Sequence, residues 1–273
     1  MIIGIDVNAL TRKQRTGTER YLFSVLREMM KSPLQAGEQV VLYSSAVVAD
    51  LGELPAGWQW KILNWPLQKG WTHARLSFGL LVRPPDVFWN PVHEIPMFHR
   101  QTKIISTIHD VAFRRLPGVY SEKGTVRQEW AVTRAVKESS AIISVSQTTK
   151  NDLVELYKIS ADKIFVTLLA VDKTLYQTAD LPAGRQVRPL SESSESYFLS
   201  IGRLEKKKNI ANLVRAFGRV VRETPPLMGE IEGANERAKL KLILAGSWGF
   251  GAEEIQQAID ESGCALKIIT PGY

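Results

Sequence analysis

The segment "YFLSIGRLEKKKNI", Tyr197 to Ile210, decides the fold. An apolar run ends at Gly202. Arg203 follows at once, then Lys206, Lys207 and Lys208, and then the helical pattern "NIANLVRAFGRVVRE". A short run apolar at almost every position marks a strand buried on both faces, and a helix directly after it makes one strand–turn–helix unit of a parallel sheet. The same unit recurs downstream: strand "LKLILAG", helix "AEEIQQAIDESG", strand "ALKIIT". The polar stretch "TPPLMGEIEGANERAK" between the first of these helices and the next strand reads as a surface loop.

Upstream the alternation is longer. "MIIGID", "QVVLYSS", "DVFWNP", "KIISTIHD", "AIISVS" and "KIFVTLLAVD" read as strands. Thr16 with Glu19 three residues on is a capping box, which predicts a helix from about Thr18 with Tyr21, Leu22, Val25, Leu26 and Met29 on one face. "EKGTVRQEWAVTRAVKES" and "SQTTKNDLVELYK" are further helices, the second capped by Ser146 or Thr148. Strands separated by helices predict an α/β protein with doubly wound parallel sheets. The Pro-, Gly- and Ser-rich stretch 177–196 divides it into an N-terminal domain, 1–176, and a second unit, 197–273. Three strands and two helices make a poor parallel-sheet domain alone, so the second domain reads as incomplete.

Composition narrows the function. The 273 residues are 44% hydrophobic, which fits a folded core rather than disorder. A net charge of +7 fits either an anionic partner or simply a soluble basic protein. The one cysteine, Cys264, excludes a disulfide framework and reads as a small buried residue. No apolar run is long enough to span a membrane, and the N-terminal residues read as a first strand rather than a signal peptide. His73, His93 and His99 lack metal-ligand spacing and read as loop residues.

Ligands of doubly wound sheets bind at the carboxyl ends of the strands, so the residues just after each strand are the candidates. Gly17 stands at a helix N-terminus, where backbone N–H groups suit an anion; it serves equally well as a tight turn beside the cap. No G-x-G-x-x-G pattern supports a nicotinamide or flavin site. His109 and Asp110 directly follow a strand. His109 suits a sugar hydroxyl or a phosphate, or else a structural bond to a backbone carbonyl with Asp110 capping the next turn. Arg203 offers a bidentate fork for phosphate, and Lys208 sits at the mouth of the next helix. Together they predict a diphosphate site, with Lys206 and Lys207 as a solvated turn. "NWPLQKGWTHARLSFGLL" reads as a loop rich in Trp and cations, either packed under the surface or resting on a membrane or an acceptor.

"IGRLEKKKNI" followed by "LKLILAG", with "GIDVNAL…RTGTERY", "TIHDVAF", "AIISVSQTTKNDLVELYKI" and "KIFVTLLAVD" before them, resembles glycosyltransferase family 4, although Ala170 stands where the family more often has Gly. The resemblance implies a GT-B fold of two Rossmann-like domains. It implies retaining transfer of a sugar from a nucleotide-diphosphate donor to a glycan or lipid-linked acceptor in cell-surface polysaccharide or glycoconjugate synthesis. Arg203 and Lys208 match the family's pair on the donor diphosphate, Gly17 its glycine loop, and His109 a histidine at the sugar and acceptor side, with Asp110 beside it. No D-x-D motif is present, so the resemblance implies catalysis without a metal or other cofactor. The family carries two glutamates eight positions apart near a Gly-rich loop. Glu253 and Glu261 have that spacing but not that context, so the matching region is expected beyond Tyr273 and the chain is expected to be a fragment. A cytoplasmic place, peripheral at the inner membrane face, follows from the same resemblance. A nucleotide-sugar epimerase would need more carboxylates facing the cleft. A module for phosphorylated ligands or nucleic acid would need aromatics among the cations, and "GRLEKKKN" has none, so no nucleic-acid partner is expected.

Overall fold

The computed structural model describes residues 1–12, 14–67, 69–171, 196–223 and 240–272. The predicted linker 177–196 lies outside them except for Ser196, as does the predicted loop at 224–239. The chain divides into two compact units: 1–112 with 126–171, and 113–125 with 172–273.

In the first unit, β1 (Ile2–Asp6), α1 (Gly17–Met29), β2 (Gln39–Ser44), β3 (Trp58–Ile62), α2 (Ser77–Val82), β4 (Val87–Asn90), β5 (Lys103–Ile108), α3 (Ala112–Arg115), α4 (Glu122–Glu138), β6 (Ala141–Ser144), α5 (Gln147–Tyr157) and β7 (Ile164–Val166) follow in order, with α3 and α4 running across the division between the units. The seven strands form one sheet in the order β3-β2-β1-β4-β5-β6-β7. Every pairing is parallel, for instance Ile5 opposite both Leu42 and Trp89. The chain thus winds outward from β1 in both directions, as a doubly wound sheet requires. The central strands are buried on both sides: β2 is covered from Val40 to Ser44. α1 begins at the capping box of Thr16 and Glu19. It buries Leu22 and Leu26 against Ile5, Val40, Leu42 and Trp89, with Tyr21, Val25 and Met29 half-buried at the margin. Ser146, not Thr148, caps α5, its Oγ accepting the Thr149 N–H at 3.1 Å.

Two elements differ from the sequence expectation. β3 is an edge strand that the sequence expectation does not include, although its "WQWKI" alternates a large apolar with a polar residue, the period of two that a half-buried strand shows. The Trp- and cation-rich stretch is not a loop. A π-helical turn, Trp71–Leu76, runs into α2, and His73 lies in that turn. Trp71 is buried, and its Nε1–H donates to the Leu63 carbonyl at 2.9 Å, so core packing is the part this tryptophan plays.

In the second unit, β8 (Tyr197–Ile201), α6 (Ile210–Glu223), β9 (Lys241–Ala245), α7 (Ala252–Glu261) and β10 (Ile268–Gly272) form a parallel sheet in the order β10-β9-β8 with two helices. β10 starts at Ile268, three residues later than "ALKIIT" predicts, because Ala265–Lys267 forms a 3-10 turn. Val214, Phe217, Leu242, Leu244, Ile255 and Cys264 close the core, so the lone cysteine is buried as expected. Contrary to the reading of this run as a strand buried on both faces, β8 is an edge strand among the described residues, with Phe198, Leu199 and Ile201 exposed, because only β9 pairs with it there.

Candidate functional site

In the second unit, the carboxyl ends of β8 and β9 are tied together by their loops. Gly202 N–H donates to Ala245 O, Leu204 N–H to Ser247 O, Lys206 N–H to Phe250 O and Gly249 N–H to Leu204 O, all at 2.8–2.9 Å. The loops approach so closely that a Cβ on Gly246 would lie 1.9 Å from the Gly202 carbonyl oxygen, so only glycine fits there. This interlock fixes where Arg203 leaves the strand. The "GSWGFG" loop, Gly246–Gly251, is part of the site that the sequence reading did not single out; three glycines within six residues after a strand were its signal.

The cationic turn is less uniform than the sequence implies. Lys206, Lys207 and Lys208 form one 3-10 turn, and Asn209 in the left-handed conformation (φ 56°) starts α6. Lys206 pairs with Glu254 at 3.7 Å. Lys207 is half-buried between Glu205, at 3.6 Å, and the Tyr120 hydroxyl, at 3.0 Å. Neither is a freely solvated cation. Lys208 is exposed, and among the described residues it has no carboxylate or hydroxyl partner. Arg203 is also exposed and has only a long contact to Glu205, Nε to Oε2 at 3.9 Å. Glu205 thus lies between the two cations, 3.6 Å from Lys207 and 3.9 Å from Arg203. Of the two cations predicted to hold a diphosphate, Lys208 stands two residues before α6, whose N-terminus carries partial positive charge, and Arg203 stands at the end of β8. A cavity of about 310 Å³ opens at the first turns of α6 and α7, lined in part by Lys206, Lys207, Asn209, Gly251 and Glu254. Arg203 and Lys208 do not line it.

In the first unit, Gly17, His109 and Asp110 come together at the carboxyl edge of the seven-stranded sheet. Gly17 opens α1, and a Cβ there would meet nothing within 4 Å. The helix N-terminus already holds a carboxylate: Glu19 accepts the Thr16 N–H at 3.0 Å, is bonded by the Thr16 hydroxyl, and pairs with Arg12 at 2.9 Å. Burial pushes Glu19 up, but the Thr16 bonds and the Arg12 charge outweigh it and hold the group below the usual carboxylate range. His109 stands edge-on to Tyr21 of α1, ring centroids 5.1 Å apart. Its Nε2 lies 3.0 Å from the Pro91 carbonyl oxygen, a bond that requires a proton on Nε2. Its own carbonyl accepts the Thr149 hydroxyl. Burial, above all, pushes the ring below its usual range, so it is neutral near pH 7. A neutral ring protonated at Nε2 presents Nδ1 as an acceptor, which suits a sugar hydroxyl and not a phosphate. Asp110 Oδ1 accepts the Ala112 N–H at 3.0 Å and so caps α3.

Asp6, at the end of β1, is a further ionisable group at this edge. It is 6% exposed, and burial pushes its carboxyl up to about 7. It accepts the Asn8 N–H at 2.9 Å, and Asn8 Oδ1 in turn accepts the Ser45 N–H, so this pair shapes the loop before α1. An acidic residue inside an apolar strand was the available signal. His99, expected as a loop residue, approaches Glu138 at 3.4 Å. Among the described residues no group of three or more His, Cys, Asp or Glu side chains is placed to hold a metal.

The chain is 24% identical over 175 residues to the O-antigen chain mannosyltransferase B of Escherichia coli, covering 64% of this chain and 42% of that protein. It thus spans less than half the length of that relative. The Anabaena protein HepE, solved in complex with UDP, superposes over 99% of this chain and 68% of its own with a TM-score of 0.59 and 16% identity. WaaG, a glycosyltransferase involved in lipopolysaccharide biosynthesis, superposes over 99% and 70% with the same score and 11% identity. These likenesses establish the fold as GT-B, built from Rossmann-like units. The sequence pattern described as Glycosyltransferase Family 4 runs through residues 15–175, from the loop before α1 to just past β7, and the chain therefore belongs to glycosyltransferase family 4.

Proposed function

We propose that the whole protein is a retaining glycosyltransferase that moves a sugar from a nucleotide-diphosphate donor to a glycan or lipid-linked acceptor. One observation carries this reading: two exposed cations follow β8 at the carboxyl edge of the second unit, Arg203 with only a 3.9 Å contact to Glu205 and Lys208 in the turn that leads into α6. When the bond from the anomeric carbon to the diphosphate breaks, negative charge grows on the leaving oxygens. Fixed cations lower that barrier because they need no reorganisation as the charge appears. In this reading the two side chains supply the counter-charge without a metal or other cofactor. His109, neutral and held by Pro91, accepts a hydroxyl of the sugar or acceptor at Nδ1, and Asp110 holds the next turn in place. Gly17, with open space around it, lets the donor approach the start of α1. The mannosyltransferase and lipopolysaccharide relatives support a role in cell-surface polysaccharide synthesis. We place the protein in the cytoplasm, peripheral at the inner membrane face. Among the described residues no helix is long and apolar enough to cross a membrane.

Calorimetric titration of the chain with UDP and GDP, beside Arg203→Ala/Lys208→Ala, tests the donor site. Each charge-assisted contact contributes about 1.5–3 kcal/mol, so the double variant should bind at least 100-fold more weakly, with its melting unchanged. A variant that binds as tightly as the parent sinks the assignment.

A further inference from the structure

The Trp- and cation-rich helix has two unlike faces. Its inner face carries Trp71, Leu76 and Leu80, each at most 5% exposed, and Gly79 sits directly on Leu63. Its outer face carries Phe78 and Val82, one turn apart, exposed at 62% and 61%. Two segments joined to this helix also expose apolar side chains. The turn at Met97 is pinned to the helix by its N–H, which donates to Ser77 Oγ at 2.8 Å, and it presents Phe98 at 59% exposure. Leu67, in the stretch leading into the helix, is 62% exposed.

The charges around these side chains are of one sign. Lys69, Arg83 and Arg100 are exposed, and Arg75 is half-buried with its Nε–H on the Asn64 carbonyl. No Asp or Glu occurs from 54 to 85 or from 95 to 109. The nearest carboxylates are taken: Asp86 by the Ile2 N–H, Glu94 by Arg127, and Glu138 by Arg134 and His99. Bulky apolar groups ringed by long cations fit the boundary of an anionic bilayer, where the apolar groups enter the headgroup layer and the cations reach the phosphates. A protein partner of matching chemistry would also have to bury the three exposed cations.

We infer that the outer face of the 71–82 helix and the adjoining Met97–Arg100 turn form a surface that rests on an anionic lipid bilayer. This rests on the peripheral placement proposed above and not on the donor site. It gives that placement an address: Phe78, Val82, Phe98 and Leu67 insert, while Lys69, Arg83 and Arg100 contact lipid phosphate.

The test is co-sedimentation of the chain with vesicles of phosphatidylglycerol and phosphatidylcholine in equal parts, against phosphatidylcholine alone, without nucleotide. Binding should require the anionic lipid and fall as salt is raised. Lys69→Gln/Arg83→Gln/Arg100→Gln should weaken it on the order of 100-fold, taking roughly 1 kcal/mol per cation at such a surface. Phe78→Ser/Phe98→Ser should abolish it while leaving melting unchanged, since both side chains are already exposed. The surface is overturned if anionic vesicles bring down no protein, or if either variant sediments like the parent. It is overturned too if the chain elutes as a dimer that Phe78→Ser/Phe98→Ser dissociates, since a second copy would then cover the face. UDP titration of both variants keeps the two readings apart: loss of vesicle binding with nucleotide binding intact addresses this surface alone.

Discussion

Replacing Asp6 by Asn tests whether the carboxyl edge of the first unit holds a protonated acid near neutrality. The group is 6% exposed, and burial, aided by Glu94 and opposed by the Asn8 N–H, lifts it from 3.8 to about 7. The unfolded chain ionises this carboxyl above 3.8, whereas the native chain keeps the proton up to about 7. The folded value is the higher one, so stability is full below the unfolded value and is lost as pH rises from about 4 to 7. At about 1.4 kcal/mol per unit, burying this acid costs about 4 kcal/mol at pH 8 but only about 1.5 kcal/mol at pH 5. Asparagine has no charge to bury and keeps an oxygen for the Asn8 N–H. The advantage of Asp6→Asn over the parent should therefore grow by about 2–3 kcal/mol between pH 5 and pH 8, or roughly 5–10 °C in Tm. Thermal melts of both chains at the two pH values read it directly. A Tm difference that is equal at both pH values, or that shrinks toward pH 8, refutes the argument and means that the carboxylate is ionised and satisfied in the native state.

Other outcomes follow from single contacts. Gly246→Ala drives a Cβ into the Gly202 carbonyl and should destabilise the second unit by about 3 kcal/mol or more, seen as loss of amide protection in β8 and β9 while the first unit stays protected. Ser146→Ala removes the α5 cap and should cost about 1 kcal/mol in thermal melts. His109→Phe keeps a ring against Tyr21 but loses Nδ1; sugar transfer by the whole protein should fall 100-fold or more, whereas UDP affinity of the chain should not change. Equal loss of UDP binding would show that His109 acts at the donor phosphates instead.

The strand–turn–helix units were legible because their cause is local. After a polar first residue, "KIISTI" and "QVVLYS" carry only apolar or small hydroxyl side chains apart from Tyr43, since both faces of a central parallel strand are covered, and Thr16 with Glu19 states a helix start within four residues. β3 was only weakly legible: its two-residue alternation runs over just five residues, too short a run to stand out from a loop. The helix at 71–82 was hidden for a related reason, since its apolar residues face both inward to Leu63 and outward to solvent, and no clean amphipathic stripe results. Of the candidate site, the sequence named Arg203, Lys208, Gly17, His109 and Asp110 from their places after strands and from family likeness.

The sequence by itself thus determined the order of elements and the residue types at each strand end, because hydrophobic period and capping act within a few residues. Only the tertiary structure decided which charges stay available. Lys206 and Lys207 look like Lys208 in the chain, and only folding brings Glu254 to the first and the Tyr120 hydroxyl to the second. Likewise, only folding brings the Pro91 carbonyl to His109 and so fixes which of its nitrogens carries the proton. Ionisation and tautomer depend on burial and on partners distant in sequence, and neither quantity is written in a local pattern.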